Sequence, residues 1–408
     1  MNLTRSICCR LEQELVDFDK KRLWNTIFQK IQNPVNVGST NAARKSVNRD
    51  KNRYCNISPY DHSRIRLKAG DNDYINASLV EVPIIGRKYI LSQGPLSNTA
   101  GDFWQMVWEQ DCKAIVMLNS VIEKGMPKCH QYWPVGTANG GEDTVTFEKN
   151  GFAVEFLQAA GQDTFISRML QLTNLNTNES REVRHFQYTV WPDFGVPKCP
   201  TTFLEFLDAV KKSGALAPHA APPVIHCSAG IGRSGTFCLV HTCITMLDRT
   251  GNIRATDVEK QLLALRRQRM RLIEKVGQLR FCCLVIVLWA KGSDAVSTLQ
   301  DISLGWGDEE EDGDSGVSSM HTEEEVEEIP QDLHIGDGCK LSEGVSTSGE
   351  DGEEEEEEFE TEAFEEKEGS NSSSMSEDKQ ATVAQKRASV NSIEFESPKR
   401  LKSESGDI

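Results

Sequence analysis

The residues with the clearest chemical promise stand together in Val224-Ile-His-Cys-Ser-Ala-Gly-Ile-Gly-Arg-Ser-Gly-Thr236. An apolar strand ending at His226 runs into a loop of small residues, and a helix begins near Gly232. Such a loop lets the successive backbone N–H groups of Ser228, Ala229, Gly230, Ile231 and Gly232 converge on a tetrahedral anion, with positive potential added by the helix N-terminus. Glycines at 230, 232 and 235 allow close backbone approach. Cys227 stands at the lip of this nest, where the same N–H groups and Arg233 favour its thiolate. Arg233, six residues on, can fold back and hold two phosphate oxygens in a bidentate fork. A thiolate in a phosphate cradle implies nucleophilic attack on phosphorus and a cysteinyl-phosphate intermediate. An isolated Cys-x5-Arg is more often a buried, inert cysteine in a tight strand–helix turn. Here the rest of the chain reverses that reading.

Displacing a phenolate needs a proton donor. Trp191-Pro192-Asp193-Phe194-Gly195-Val196-Pro197 offers Asp193 on a loop whose prolines and glycine suit a rigid swinging lid. Asp193 would protonate the leaving oxygen and then, as carboxylate, assist water in hydrolysing the thiophosphate.

Holding these groups requires a scaffold, and the apolar periodicity predicts one. A helix is expected over 9–32, a polar connection over 33–52, and strands at Ser78–Glu81, Arg87–Leu91 and Ala114–Leu118 with a helix over Asn98–Gln110 between them. Strand-favouring runs at Val145–Phe147, Ala153–Phe156, Arg168–Leu172 and Glu182–Val190 read as hairpins. Helices follow at about 200–213, 232–247, 256–267 and 276–290, with the strand Pro223–His226 among them. Strands mixed with helices, without a strict βαβ repeat, indicate an α/β domain on a twisted mixed sheet flanked by helices. Trp104, Trp108 and Asn119 read as scaffold.

Charge locates the end of this domain. The 408-residue chain carries a net charge of −17, but residues 292–408 hold 35 acids and 8 bases while residues 1–291 hold 27 acids and 37 bases. A catalytic body over 1–291 therefore carries an acidic Ser/Glu-rich tail over 292–408, which has too little apolar area to offset its ordering entropy and is expected to be disordered. No apolar run approaches the ~20 residues of a membrane helix, so no membrane insertion is expected. The opening MNLTRSICCRLEQEL does not read as a secretory signal. Eleven of the twelve cysteines lie in the body without a regular framework, which suits free thiols in a reducing compartment.

Further motifs stand in a fixed order: Lys51-Asn-Arg-Tyr54, Asp73-Tyr-Ile-Asn-Ala-Ser78, Tyr89-Ile-Leu-Ser-Gln-Gly-Pro95, Phe103-Trp-Gln-Met-Val-Trp108 and Tyr132-Trp-Pro134, then the Asp193 and Cys227 loops. Over about residues 10–290 the chain resembles the non-receptor protein tyrosine phosphatases, and among them is most similar to the T-cell type. The resemblance implies a single tyrosine-phosphatase domain with no cofactor or metal, acting as a monomer on phosphotyrosine proteins such as tyrosine kinases and their substrates, with no nucleic acid partner. It implies that Tyr54 stacks on the phosphotyrosine ring and lines a slot too deep for phosphoserine or phosphothreonine. Glu123 then anchors Arg233, Lys128 approaches the acid loop, Ser234 helps the thiolate leave, and His226 supports the nucleophile.

Five positions, in four places, depart from the family. Glu274 stands where the family has the glutamine that positions the hydrolytic water, beside a retained Gln278, and Arg271 replaces a glycine at the slot entrance. Cys55-Asn56 replaces a basic residue and an aspartate, so Asn56 can accept from the substrate backbone only as a neutral amide. His241 replaces an aspartate and reads as a surface or capping residue. Glu274 and Arg271 leave a second reading open, a phosphotyrosine-binding or trapping module slow to turn over. In the tail, Lys386-Arg387 and Lys399-Arg400-Leu401-Lys402 resemble a bipartite signal for a nuclear import carrier, giving a nuclear and cytoplasmic expectation. Ser389 and Ser397 beside them resemble kinase sites.

Overall fold

The computed structural model describes residues 3–32, 38–192 and 195–292. Asp193, Ser389, Ser397 and the basic clusters at 386–387 and 399–402 lie outside the described residues. In chain order the elements are α1 (Leu3–Lys20), α2 (Trp24–Gln32), α3 (Asn41–Arg44), β1 (Arg64–Arg66), β2 (Tyr74–Val82), β3 (Arg87–Ser92), α4 (Ala100–Glu109), β4 (Ala114–Met117), β5 (Ile122–Glu123), β6 (Met126–Pro127), β7 (Thr144–Phe147), β8 (Phe152–Gly161), β9 (Phe165–Asn174), β10 (Glu179–Tyr188), α5 (Pro200–Lys212), β11 (Val224–His226), α6 (Gly232–Thr250), α7 (Ala255–Arg266) and α8 (Val276–Lys291).

Among the described residues nine strands form one mixed sheet, in the order β1-β2-β3-β11-β4-β10-β9-β8-β7, and β5 pairs with β6 as a separate hairpin. The middle four, β3, β11, β4 and β10, run parallel, with Ile225 opposite Leu91 on one side and Val116 on the other. The flanking strands are antiparallel. All four parallel strands thus end on one side, where open α/β sheets place their ligands.

Alternation along the strands divides the core between two faces. Ile225, Ala114 and Val116 join one cluster with residues of α1, α2, α5, α6, α7 and α8, while Val224, Ile115 and Met117 join a second with α4, Tyr132 and Trp133. Because the central strands are buried on both faces they read as unbroken apolar runs. Trp104 is scaffold as expected: it is fully buried and its Nε1 donates to the Tyr132 carbonyl at 2.8 Å.

Two expectations need correction. The helix predicted over 9–32 is broken at residues 21–23, where Arg22 takes φ 51°. Arg22 N–H donates to Asp19 O at 3.1 Å and Leu23 N–H to Phe18 O at 2.9 Å, a glycine-less Schellman closure that composition does not signal. The apolar period survives the break because Leu11, Leu15, Trp24, Phe28 and Ile31 all enter one core cluster. The connection over 33–52 is also partly helical, with α3 and a 3₁₀ turn at Ser46–Lys51. Asp61 starts α3 by accepting from Asn41 N (2.7 Å) and Ala42 N (3.0 Å), a cap supplied from 20 residues away.

Candidate active site

The Cys227 loop leaves β11 at the carboxyl end of the parallel strands, and its carbonyls are taken up one after another. His226 O accepts from Leu118 N at 3.0 Å, Ser228 O from Gly94 N at 2.8 Å, and Ile231 O from Gly235 N and Ile273 N at 3.0 and 3.2 Å. Cys227 O accepts from His226 Nδ1 at 3.2 Å. Arg269 supplies the rest: Nε donates to Gly230 O at 2.8 Å and Nη2 to Ala229 O at 3.0 Å. In a trans peptide the following N–H points opposite to the carbonyl. The N–H groups of Ser228, Ala229, Gly230, Ile231 and Gly232 are thereby turned away from this framework, on the side expected to receive an anion. Only glycine fits at 230, where φ is +71° and a Cβ would lie 2.0 Å from Ser92 O.

Cys227 is buried at the floor of this turn, and Ser234 Oγ donates to its Sγ at 3.3 Å. Arg233 forms a two-pronged pair with Glu123, Nη1 to Oε1 at 2.6 Å and Nη2 to Oε2 at 2.8 Å. Its Nη1 also reaches Leu118 O (3.2 Å) and its Nη2 Pro192 O (3.1 Å), and the guanidinium lies 5.9 Å from the Trp191 ring centroid. The arginine is therefore fixed by the residue that follows β4, by the β5–β6 hairpin and by the base of the acid loop. Lys128 closes that hairpin through its backbone, N–H to Val121 O at 2.8 Å.

Tyr54 is half-buried, and its hydroxyl bonds to Ser228 Oγ at 2.8 Å. Its segment is stitched to the loop after β3: Arg53 donates to Gly94 O (3.1 Å) and Pro95 O (2.7 Å), and Gln93 bonds to the backbone of Arg53 and Lys51. Asn56 is half-buried and Cys55 exposed beside it. Gln278 is buried with its Nε2 3.0 Å from where a Cβ on Gly232 would sit, and its Oε1 accepts from Glu274 N–H at 2.9 Å. The Glu274 backbone N–H thus holds the Gln278 amide against Gly232 of the Cys227 loop. On either side of Asp193 the acid segment is tied by Trp191 Nε1 donating to Gly195 O at 3.3 Å, and Trp191 is anchored among Tyr188, Phe203 and Phe281.

His241 is not a surface residue. It is 3% exposed, its Nδ1 bonds to Tyr89 Oη at 2.5 Å, and burial drives its pKa down to about 3. Sequence reasoning passed over Arg269, fully buried yet donating also to Asn76 Oδ1 (3.0 Å) and Ser78 Oγ (3.2 Å), with its pKa lowered by burial to about 10. Residues 262–273 hold four arginines, at 266, 267, 269 and 271, so nothing in the sequence singles this one out. It passed over Tyr132 too, which bonds to His226 Nε2 at 2.7 Å.

A buried cysteine in a turn whose carbonyls are tied outward, with a fixed arginine following it, forms the centre of the site. The protein-tyrosine phosphatase family matches residues 48–288, and the chain belongs to that family. It is 44% identical over 290 residues to the human tyrosine-protein phosphatase non-receptor type 2, covering 71% of this chain and 68% of that protein. It is 41% identical over 330 residues to the fruit-fly tyrosine-protein phosphatase non-receptor type 61F, covering 79% and 57%. It is 39% identical over 250 residues to tyrosine-protein phosphatase 1 of Caenorhabditis elegans, covering 60% and 23%.

Proposed function

We propose that the chain hydrolyses phosphotyrosine in proteins through a cysteinyl-phosphate intermediate, in signalling by tyrosine kinases. The observation that carries this reading is the set of loop carbonyls tied outward around Cys227, with Ser234 Oγ on its sulfur. The sulfur attacks phosphorus and forms an S–P bond as the P–O bond to tyrosine breaks, while Asp193 gives its proton to the departing phenolate. Charge on the equatorial oxygens is met by the loop N–H groups and Arg233. Water then attacks phosphorus, Asp193 takes back a proton, and the sulfur leaves as thiolate assisted by the Ser234 hydroxyl. The Gln278 amide faces this water's approach. Tyr54 holds the phenyl ring.

Rapid quenching tests this: phosphate is expected on the Cys227 peptide of the wild type during turnover of an aryl phosphate. A Cys227→Ser chain is expected to retain phosphotyrosine peptide and to hydrolyse none. Turnover by Cys227→Ser at the wild-type rate would overturn the mechanism.

The chain acts in both nucleus and cytoplasm, drawn into the nucleus by an import carrier reading Lys386-Arg387 and Lys399 to Lys402. The spacing of these clusters supports this. Removing residues 399–408 is expected to lower the nuclear share of a tagged chain in cell images, and an unchanged share refutes it. Among the described residues no helix is long and apolar enough to cross a membrane.

A further inference from the structure

Behind the Cys227 loop a line of hydrogen bonds crosses the sheet from β9 to β11. Arg168 on β9 lies directly opposite His185 on β10, and its Nη1 lies 3.3 Å from His185 Nδ1. His185 Nε2 is 2.9 Å from Tyr132 Oη, Tyr132 Oη is 2.7 Å from His226 Nε2, and His226 Nδ1 is 3.2 Å from Cys227 O. His185, Tyr132 and His226 are fully buried, whereas Arg168 is only half-buried. The guanidinium is steadied by Gln187 Oε1 at 3.0 Å and by the Trp133 ring, whose centroid lies 5.2 Å away.

The chemistry of the two ends fixes the direction of every link. Arginine only donates, so His185 Nδ1 must accept. A carbonyl only accepts, so His226 Nδ1 must carry its proton. Burial keeps both rings neutral, with the pKa of His226 lowered to about 4 and that of His185 lower than usual, helped by the charge of Arg168. A neutral His185 with a bare Nδ1 has Nε2–H, which donates to Tyr132 Oη. A neutral His226 with Nδ1–H has a bare Nε2, which accepts the Tyr132 proton. Read from either end the result is the same, and no link can be reversed without leaving a buried donor facing a donor.

We propose that Arg168 is a positioning residue for Cys227, acting through His185, Tyr132 and His226 to hold His226 in the tautomer whose N–H grips the Cys227 carbonyl. The inference rests on Cys227 being the nucleophile. Without Arg168 the His185 ring is free to present Nδ1–H, and the Cys227 carbonyl alone is left to favour this order of donors down the line. His226 can then turn a lone pair toward Cys227 O, loosening the peptide whose N–H belongs to Ser228 in the anion nest.

The test uses the full chain labelled with ¹⁵N-histidine, with long-range proton–nitrogen spectra to show which ring nitrogen of each histidine bears hydrogen. His185→Asn and His226→Asn chains assign the two signals. The wild type at neutral pH is expected to show His185 protonated on Nε2 and His226 on Nδ1; either ring in the other tautomer, or charged, overturns the proposal. Arg168→Gln and Tyr132→Phe are each expected to mix the His226 tautomers. Each is expected to lower kcat roughly 3- to 10-fold, part of one charge-assisted hydrogen bond, with KM for an aryl phosphate moving less than about twofold. The double variant is expected to be no slower than the slower single, because both cut one line. Arg168→Lys, which keeps a cationic donor, is expected to recover most of the loss. A pure Nδ1–H signal for His226 with unchanged kcat in Arg168→Gln, or additive losses in the double variant, overturns the proposal. Should the wild type hydrolyse no phosphotyrosine, the functional reading fails while the tautomer spectra still decide the line.

Discussion

Two segments joined at the Ile231 carbonyl use the left-handed backbone region in different ways. In the nucleophile loop the positive φ falls on Gly230, where no side chain is strained and where Ser92 O leaves no room for one. In the segment after α7 it falls on Arg271 (φ 55°) and Ile273 (φ 61°), residues for which this conformation costs roughly 1–2 kcal/mol each. That segment is held by force from outside: Arg266 Nε grips Leu272 O and its Nη2 grips Ile273 O, both at 2.7 Å, and Ile273 N–H bonds to Ile231 O of the first loop. Both loops are held by tertiary bonds, but in the first the residue at positive φ suits its backbone, whereas in the second the bonds overrule residue choice. A β-branched side chain held at positive φ in a segment bonded to the Cys227 loop is strain of the kind that clusters at functional sites.

If that contrast is right, a Cβ at Gly230 is the most damaging small change. Gly230→Ala combines a forbidden φ with a backbone clash and is expected to destabilise by about 4 kcal/mol, read by urea melts, with activity falling below a hundredth. Next comes Arg269→Met, which keeps the stem but strips the donors from Ala229 O, Gly230 O, Asn76 and Ser78. A loss of roughly 3 kcal/mol is expected from the unpaired buried acceptors, with kcat reduced together with stability. A variant that melts like the wild type would show that the loop holds its shape without that framework.

The contrast also explains what the sequence makes legible. Glycine at 230, the Cys227–Arg233 spacing and the apolar runs of β3, β4 and β11 are local signals, and the sheet centre and nest follow from them. The outer ties come from remote residues: Asp61 on α3, Arg269 on the Ala229 and Gly230 carbonyls, Tyr132 on His226. Such pairings depend on which strands become neighbours, and a linear reading has no access to that. The burial of His241 is hidden from the sequence for the same reason: in a helix buried on nearly every side, a polar residue need not face water when Tyr89 offers a partner. The substitution by polarity alone pointed outward; the packing of α6 put it inside.

Acid distinguishes the two segments further. His226 backs the first and is neutral in the fold, its pKa lowered by burial to about 4. The unfolded chain takes up the proton near pH 6.5, so the stability this ring supports is full above that value and is lost as pH falls toward 4. Between pH 7 and 5 that amounts to about 2 kcal/mol. Urea melts at the two pH values are expected to differ by at least this amount, and by less in His226→Asn. The ties of the second segment are arginine donors, which stay charged throughout. An identical pH difference in His226→Asn would remove His226 from the account.

A smaller effect is expected at Glu274. Its backbone N–H holds the Gln278 amide, a bond that Glu274→Gln preserves, so that substitution changes side-chain charge alone. Removing the charge from beside a phosphorylated cysteine is expected to raise steady-state kcat about tenfold or less and to shrink any burst, a change of at most ~1.4 kcal/mol in the hydrolytic barrier. An unchanged rate and burst would mean that the carboxylate lies outside the field of the intermediate.

The smallest change tests the strain itself. Arg271 is exposed and at positive φ, so Arg271→Gly relieves roughly 1–2 kcal/mol of backbone cost in the fold. It also frees the unfolded chain, which takes back about 0.4–1 kcal/mol. The net gain is expected to be about 0.5–1 kcal/mol, seen as a higher urea midpoint at unchanged slope. Ile273 admits no such gain, because it is fully buried and removing its side chain leaves a cavity. Arg271→Gly stabilising while Ile273→Gly destabilises by several times as much would separate conformational strain from packing at two neighbouring residues with nearly the same φ. Equal losses at both would mean that the left-handed turn carries no strain, because Arg266 and the Ile231 carbonyl hold the segment in its lowest-energy form.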